Sequence, residues 1–275
     1  MTLFTREEIL KQLAEGKSFA QAELSKINLE SANLDRAQFP EAYLRGANLS
    51  QASCKETDFT KAILRFARLL DANLTGAKLT SAELNSAYLQ RTNIHQADAT
   101  KAKLYGANLD FLEAYSAILT EADLRDVVGT SCNFSGSNLE RVNLTNAHLP
   151  HANFSNALVR KAIAIKANLP HTIWQQADLE KINFSYSSLV EADFRGASLI
   201  DANFTGANLI LVNFPEAELL ETTFKNAKLE KVDLTDSSLL TADLEGATLT
   251  QVNLTRTILQ DANLENTIWR YCSPQ

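Results

Sequence analysis

The chain has 275 residues, of which 45% are apolar and 21% charged, and a net charge of −7 at pH 7. Outward polar positions interrupt every apolar stretch, which excludes a membrane-spanning helix of about 20 apolar residues. The acidic balance argues against a surface that follows nucleic-acid phosphates, and three scattered cysteines are too few for a disulfide framework.

A short helix is predicted at the N-terminus. Thr5 is typical of an N-cap, Glu8 three residues later completes a capping box, and Gly16 follows as a stop signal. One apolar face of this helix consists of Ile9, Leu10 and Leu13. We expect residues 1–16 to cover the first coil of the repeat that follows, and a helix that binds a partner is the alternative.

From Phe19 to Trp269, a bulky apolar residue recurs at every fifth position, with a small residue two positions before it. Of these 51 centre positions, 46 are Leu, Phe, Ile, Val or Trp, and 32 of the 50 preceding positions are Ala. Side chains alternate between the faces of an extended strand, so both residues of a pair point inward. The next pair has the wrong parity for an unbroken strand, so the chain must turn after every pentapeptide.

The phenylalanines indicate that each coil has four sides. Six pairs of centre phenylalanines are separated by 20 residues and none by 15, and like residues tend to stack in neighbouring coils. Trp174 falls in the same column as Phe154 and Phe194. The sequence therefore predicts an all-β solenoid of about 12 four-sided coils with a filled interior, a single rod over residues 17–271 followed by a tail over residues 272–275.

The repeat resembles the pentapeptide-repeat family, whose consensus is A(D/N)LXX. Examples are Ala32-Asn33-Leu34, Ala47-Asn48-Leu49, Ala122-Asp123-Leu124 and Ala202-Asn203-Phe204. The resemblance covers about nine tenths of the chain and implies a right-handed four-sided parallel β-helix. It implies no activity and no cofactor, since family members with an assigned role mostly bind proteins. Some members mimic duplex DNA and bind DNA gyrase, which is the alternative function for this chain.

Between residues 94 and 134 the repeat keeps its register but loses its usual residue types. The large and small residues exchange places in the pairs Leu112/Ala114 and Val127/Gly129. Because the summed volume is nearly kept, the core should stay filled while the wall bends or bulges. Phe111 and Tyr115 then point outward, and the segment is either tolerated drift or a recognition surface.

Two histidines provide a candidate metal site. His151 and His171 occupy equivalent positions one coil apart, and Glu191 continues their column. Two imidazoles about 4.8 Å apart beside a carboxylate suit a divalent ion. A ladder of exposed corner residues is the alternative, because an exposed corner lacks the supporting shell of a metal site. No catalytic motif is present, so we expect no enzyme.

The candidate partner surface lies in the acidic part of the chain. Residues 170–275 carry 7 Lys+Arg and 15 Asp+Glu, whereas residues 1–169 carry 19 and 18. Ile200, Leu220 and Leu240 share one outward position on three successive coils. The acids that border them are Asp201, Glu218 and Glu221. Stacked outward apolar residues suggest a surface for an unidentified protein partner, although strand propensity on a solvated wall also explains them.

The C-terminal end has no comparable helix. Trp269 is the last centre residue and Tyr271 follows it. Either these aromatics cover the last coil, or the end pairs with another copy, which leaves a monomer and an end-to-end or side-by-side homodimer open. Cys54 and Cys132 are expected to be buried and unpaired. The acidic N-terminal segment is unlike a signal peptide, so we expect a soluble cytoplasmic interaction scaffold without direct nucleic-acid or membrane binding.

Overall fold

The computed structural model describes residues 4–272 and consists of one short helix followed by parallel β-structure in regular turns. Helix α1 spans Arg6–Ala14. Four three-residue strands follow late in the chain: β1 Asn208–Ile210, β2 Lys228–Glu230, β3 Thr248–Thr250 and β4 Ile268–Arg270. The chain forms two compact units, the first ending at Asn138 and the second beginning at Leu139. Within the described residues, no helix combines the length and apolarity needed to cross a bilayer.

The first unit begins with α1, which has the predicted capping box. The Glu8 N–H donates to the Thr5 hydroxyl at 3.2 Å, and the Thr5 N–H donates to the Glu8 carboxylate at 2.7 Å. Ile9 is completely buried, and the ring of Phe4 sets its edge against Phe19 at 5.5 Å between centroids. Helix α1 is thereby packed against the start of the repeat.

The repeat of the first unit has a 20-residue turn. Its β-bridges join residues 20 apart in four columns, which start at Glu23, Asn28, Asn33 and Gln38. The backbone bonds follow this register; for example, the Leu24 N–H donates to the Tyr43 carbonyl at 2.8 Å. Phe19, Phe39 and Phe59 stack in one inward column at centroid distances of 5.8 and 5.5 Å. The four-sided turn read from the phenylalanine spacing is therefore confirmed.

The irregular segment keeps a filled core without a bulge. Leu112, Ala114 and Val127 are all buried. The bridges from Asn93 to Glu113 and on to Asn133 stay in register. Of the predicted bend or bulge, the bulge is wrong: the exchanged residues lie in the same inward layer, so no residue is inserted into the ladder.

The second unit repeats the same register around a more aromatic core. Strands β1 to β4 form a parallel sheet in chain order, in which Leu209, Leu229, Leu249 and Trp269 align. Two inward columns of aromatic rings face each other, Trp174/Phe194/Phe214 and Phe184/Phe204/Phe224. Rings stack within a column at 5.0 to 5.9 Å and meet edge-on between columns.

Each pentapeptide contains a residue in the left-handed backbone region. This residue lies two positions after the bulky centre, and its φ is between +53° and +61° at the non-glycine positions of the repeat. The glycines at this position are Gly46, Gly76, Gly106, Gly136, Gly196, Gly206 and Gly246. Sequence reasoning did not predict this conformation, although the clustering of glycine at one phase was a usable signal.

The last turn is open to solvent. Trp269 is 39% exposed and Tyr271 is 87% exposed. The expectation that these two aromatics cover the last coil is wrong, because Tyr271 lies two positions after the last bulky centre, at the corner, and points outward. Of the predicted tail, residues 272–275, only Cys272 lies within the described residues.

Candidate protein-binding surface

Ile200, Leu220 and Leu240 stand on successive turns of one wall in the second unit. The Asp201 N–H donates to the Leu220 carbonyl at 2.9 Å, and the Glu221 N–H donates to the Leu240 carbonyl at 3.1 Å. This ladder holds the three apolar residues about 4.8 Å apart along one column. We call them the apolar strip.

The apolar strip is less exposed than the sequence suggested. Each of its three side chains is half-buried. Ile258 on the same wall is 51% exposed, and its bridge to Ser238 places it one turn beyond. Sequence reasoning missed Ile258 because it lies one position before a bulky centre, whereas the residues of the apolar strip each lie one position after one. Both positions point outward.

The acidic border of the strip is partly free for a partner. Glu218 and Glu221 are exposed and Asp201 is half-buried. Lys181 Nζ lies 3.5 Å from the Asp201 carboxylate, and the Ser198 hydroxyl donates to Glu218 at 3.2 Å. Glu221 has no cation within 4.0 Å among residues 4–272. The wall therefore combines an apolar line with accessible negative charge.

The histidine corner forms a ring stack. The imidazoles of His151 and His171 lie 4.6 Å apart between centroids at an interplanar angle of 7°, and His171 Nδ1 is 3.2 Å from the Glu191 carboxylate. In parallel stacked rings the nitrogen lone pairs lie in parallel planes, so they do not converge on one ion. Across the described part of the chain, no group of three His, Cys, Asp or Glu is placed to hold a metal. This geometry favours the corner ladder.

The two cysteines of the repeat are core residues. Cys54 and Cys132 are buried and unpaired. Burial raises the pKa of each thiol to about 12. Since the thiolate is the reactive form, neither side chain is a nucleophile near neutral pH.

Comparison with known proteins identifies the repeat type. A family model described as Pentapeptide repeats matches overlapping segments that together cover residues 18–110, 115–236 and 241–268. No curated protein sequence gives a significant match.

Solved structures of similar proteins include a trypsin-treated variant of QnrB1, a plasmid-mediated fluoroquinolone resistance protein. It shares 16% identity over 68% of this chain and 86% of that chain, with a TM-score of 0.50, which concerns the fold alone. HetL, a pentapeptide repeat protein involved in heterocyst differentiation regulation in the cyanobacterium Nostoc sp. strain PCC 7120, is 28% identical over 97% of this chain and 96% of its own, with a TM-score of 0.23. Rfr23 from the cyanobacterium Cyanothece 51142 is 26% identical over 50% of this chain and 90% of its own, with a TM-score of 0.28.

Proposed function

Because this chain belongs to the pentapeptide-repeat family, we propose that it is a non-enzymatic scaffold that binds a protein partner through stacked outward residues. The observation that carries this proposal is the apolar strip, Ile200, Leu220 and Leu240, bordered by the exposed Glu218 and Glu221. The interior of each unit is filled by side chains, so chemistry and recognition are left to the walls.

The binding free energy that the apolar strip can supply indicates what else the contact must include. Three half-buried side chains leave on the order of 100 Å² of apolar surface for a partner to cover, which at ~25 cal/mol per Å² is about 2–3 kcal/mol. A micromolar complex needs about 8 kcal/mol. The partner must therefore also cover Ile258 and place basic residues against Glu218 and Glu221, where complementary charge supplies specificity and association rate.

The test compares matched lysine substitutions in the tagged full chain. Leu220→Lys places a charge in the apolar strip, whereas Ile165→Lys places one at the same half-buried phase of a different wall. Affinity purification from the native organism, read by quantitative mass spectrometry, should recover a protein with the wild type and Ile165→Lys but at least tenfold less with Leu220→Lys. Equal recovery with both variants, at unchanged melting temperature, would reject this wall as the binding surface.

The alternative is a DNA-mimicking binder of DNA gyrase. Residues 139–275 carry 11 Lys+Arg and 16 Asp+Glu, a modest negative excess for a duplex mimic. The likeness to QnrB1 extends to the fold and so does not favour this role over the scaffold. A gyrase supercoiling assay decides it, because unchanged supercoiling at micromolar protein ends the alternative.

The proposal includes a cytoplasmic location, which is supported by the buried unpaired thiols of Cys54 and Cys132. It also includes right-handed coiling, about 12 coils, and a repeat domain over residues 17–271. A monomer and a homodimer are both compatible with a scaffold role.

A further inference from the structure

Four exposed aromatic side chains lie around one corner of the first unit, with Tyr43 and Tyr88 at the middle of the two walls that meet there. Tyr43, Phe66, Tyr88 and Tyr105 are 45%, 49%, 48% and 45% exposed. Each of four successive 20-residue turns carries one of them, and all four fall within a window of six positions in the 20-residue period. Their strip is about 14 Å long at ~4.8 Å per turn. With the arginines described next, we call it the aromatic–arginine corner.

Arginines are ordered along the same corner. The guanidinium carbon of Arg45 lies 5.5 Å from the ring centroid of Phe66, and that of Arg125 lies 5.7 Å from the ring of Tyr105. Cation–π contacts of this length hold a guanidinium over an aromatic face and limit its rotamers. Arg68 is the bridge partner of Tyr88 in the neighbouring turn.

The charge of the corner is unbalanced. Glu83 is engaged by Arg65 at 2.7 Å and by Lys103 at 3.0 Å, and Asp123 is engaged by Arg125 at 2.7 Å. Arg45 and Arg68 are exposed, and neither has a carboxylate within 4.0 Å in the described part of the chain. A chain of net charge −7 thus presents two uncompensated arginines beside exposed rings.

A shallow recess lies beside these groups. Its volume is about 270 Å³, and it is lined by Arg68, Leu70, Tyr88 and Gln90. Leu70 and the ring of Tyr88 make its exposed lining mostly apolar, so the recess suits an apolar side chain.

We propose that the aromatic–arginine corner binds an acidic segment of a partner protein in which carboxylates alternate with apolar side chains. The carboxylates pair with Arg45 and Arg68, and the apolar side chains pack on the rings of Tyr43, Phe66 and Tyr88. Aromatic residues and arginine are the types that carry most binding energy in protein interfaces. This surface shares no residue with the apolar strip and does not depend on the function proposed there.

Fluorescence anisotropy with the full chain tests this proposal. The probe is a labelled 12-residue peptide in which Glu alternates with Leu and Phe, and the comparison probes are the same peptide with Lys for Glu and a 12-nucleotide oligothymidylate. We expect only the acidic peptide to bind, and its Kd to rise at least tenfold between 50 and 300 mM salt. The double variant Arg45→Glu/Arg68→Glu should weaken binding at least tenfold, and Phe66→Ala at least threefold.

Matched controls separate the corner from net charge and from folding. Lys55→Glu/Lys166→Glu makes the same charge change at exposed lysines elsewhere, and Phe111→Ala removes an exposed ring from another wall. Both controls should bind like the wild type, with all variants melting alike. The proposal is overturned if the acidic peptide fails to bind at 1 mM, if oligothymidylate binds more tightly, or if the arginine variant binds normally. It is also overturned if sedimentation shows self-association that Arg45→Glu/Arg68→Glu abolishes, because the occupant is then a second copy.

Discussion

At the scale of single residues, polar atoms in the core explain departures from the repeat. Trp174 is fully buried, and its indole N–H donates to the Thr172 hydroxyl at 2.8 Å. That hydroxyl in turn donates to the Leu169 carbonyl at 2.8 Å. Position 172 belongs to a phase that is mostly Ala, so threonine here provides the acceptor that a buried indole requires.

Thr172→Val should therefore destabilise the chain by about 1–3 kcal/mol, because it keeps the shape but leaves the indole N–H without an acceptor. Chemical denaturation of the variant measures the free energy of unfolding. In a Trp174→Phe background the same substitution should cost clearly less, since phenylalanine has no donor. Equal costs in the two backgrounds would contradict the assigned hydrogen bond.

Gly129 is a second residue whose neighbours dictate its identity. A Cβ at this position would lie 2.7 Å from Cys132 Sγ and 3.0 Å from Leu109 Cβ. Gly129→Ala should lower stability by about 1–3 kcal/mol through overpacking. Cys132→Ala removes the closest atom, so the double variant should recover part of the loss in a thermal melt. A Gly129→Ala chain that melts like the wild type would show that the site has more room.

At the scale of the pentapeptide, the main backbone cost comes from the left-handed residue at the corner. Thr241 is the one β-branched residue among the left-handed turn positions of the described chain, with φ of +57°. A β-branched side chain is strongly disfavoured in this region, whereas glycine is tolerated. The cost of the left-handed conformation is roughly 1–2 kcal/mol for residues with a Cβ.

Thr241→Gly should accordingly raise the melting temperature, despite the greater entropy of glycine in the unfolded chain. Ser81→Gly at the same phase is the control, and its effect should be smaller because serine is not β-branched. Differential scanning calorimetry of both variants provides the comparison. A larger gain from Ser81→Gly than from Thr241→Gly would contradict the steric explanation.

Elements with a strict local pattern were predictable from the sequence. The capping box at Thr5 and Glu8 and the 20-residue turn shown by the phenylalanines both follow from short-range chemistry. The solvent-facing Tyr271 and the half-buried state of Leu220 were not predicted. The exposure of a side chain depends on which side chains of the adjacent turns cover it. A period of five tells which residues point inward or outward, but not which outward residues are covered.

The proposed partner surfaces were predictable only in part for the same reason. The column of Ile200, Leu220 and Leu240 repeats one phase at a spacing of 20 and is visible in the sequence. The aromatic–arginine corner combines several phases, so Tyr43, Phe66 and Tyr88 show no common spacing. Only the stacking of turns brings such residues together.

At the scale of the whole molecule, the two units carry different surface chemistry. Residues up to Asn138 carry 15 Lys+Arg and 17 Asp+Glu, whereas residues from Leu139 carry 11 and 16. The first unit contributes unpaired arginines beside aromatic rings, and the second contributes an apolar strip with an acidic border. In the proposed scaffold role, the arginines of the first unit and the acids of the second select partners of opposite charge.

Carboxylate footprinting of the chain with its bound partner tests the scaffold account most directly. Labelling with glycine ethyl ester, read by mass spectrometry, is compared for the free chain and for the complex recovered by affinity purification. Glu218 and Glu221, both exposed in the free chain, should lose most of their labelling in the complex. Glu56 and Glu113, which are exposed in the first unit, should keep theirs. Unchanged labelling of Glu218 and Glu221 in the complex would contradict the assignment of this wall as the binding surface.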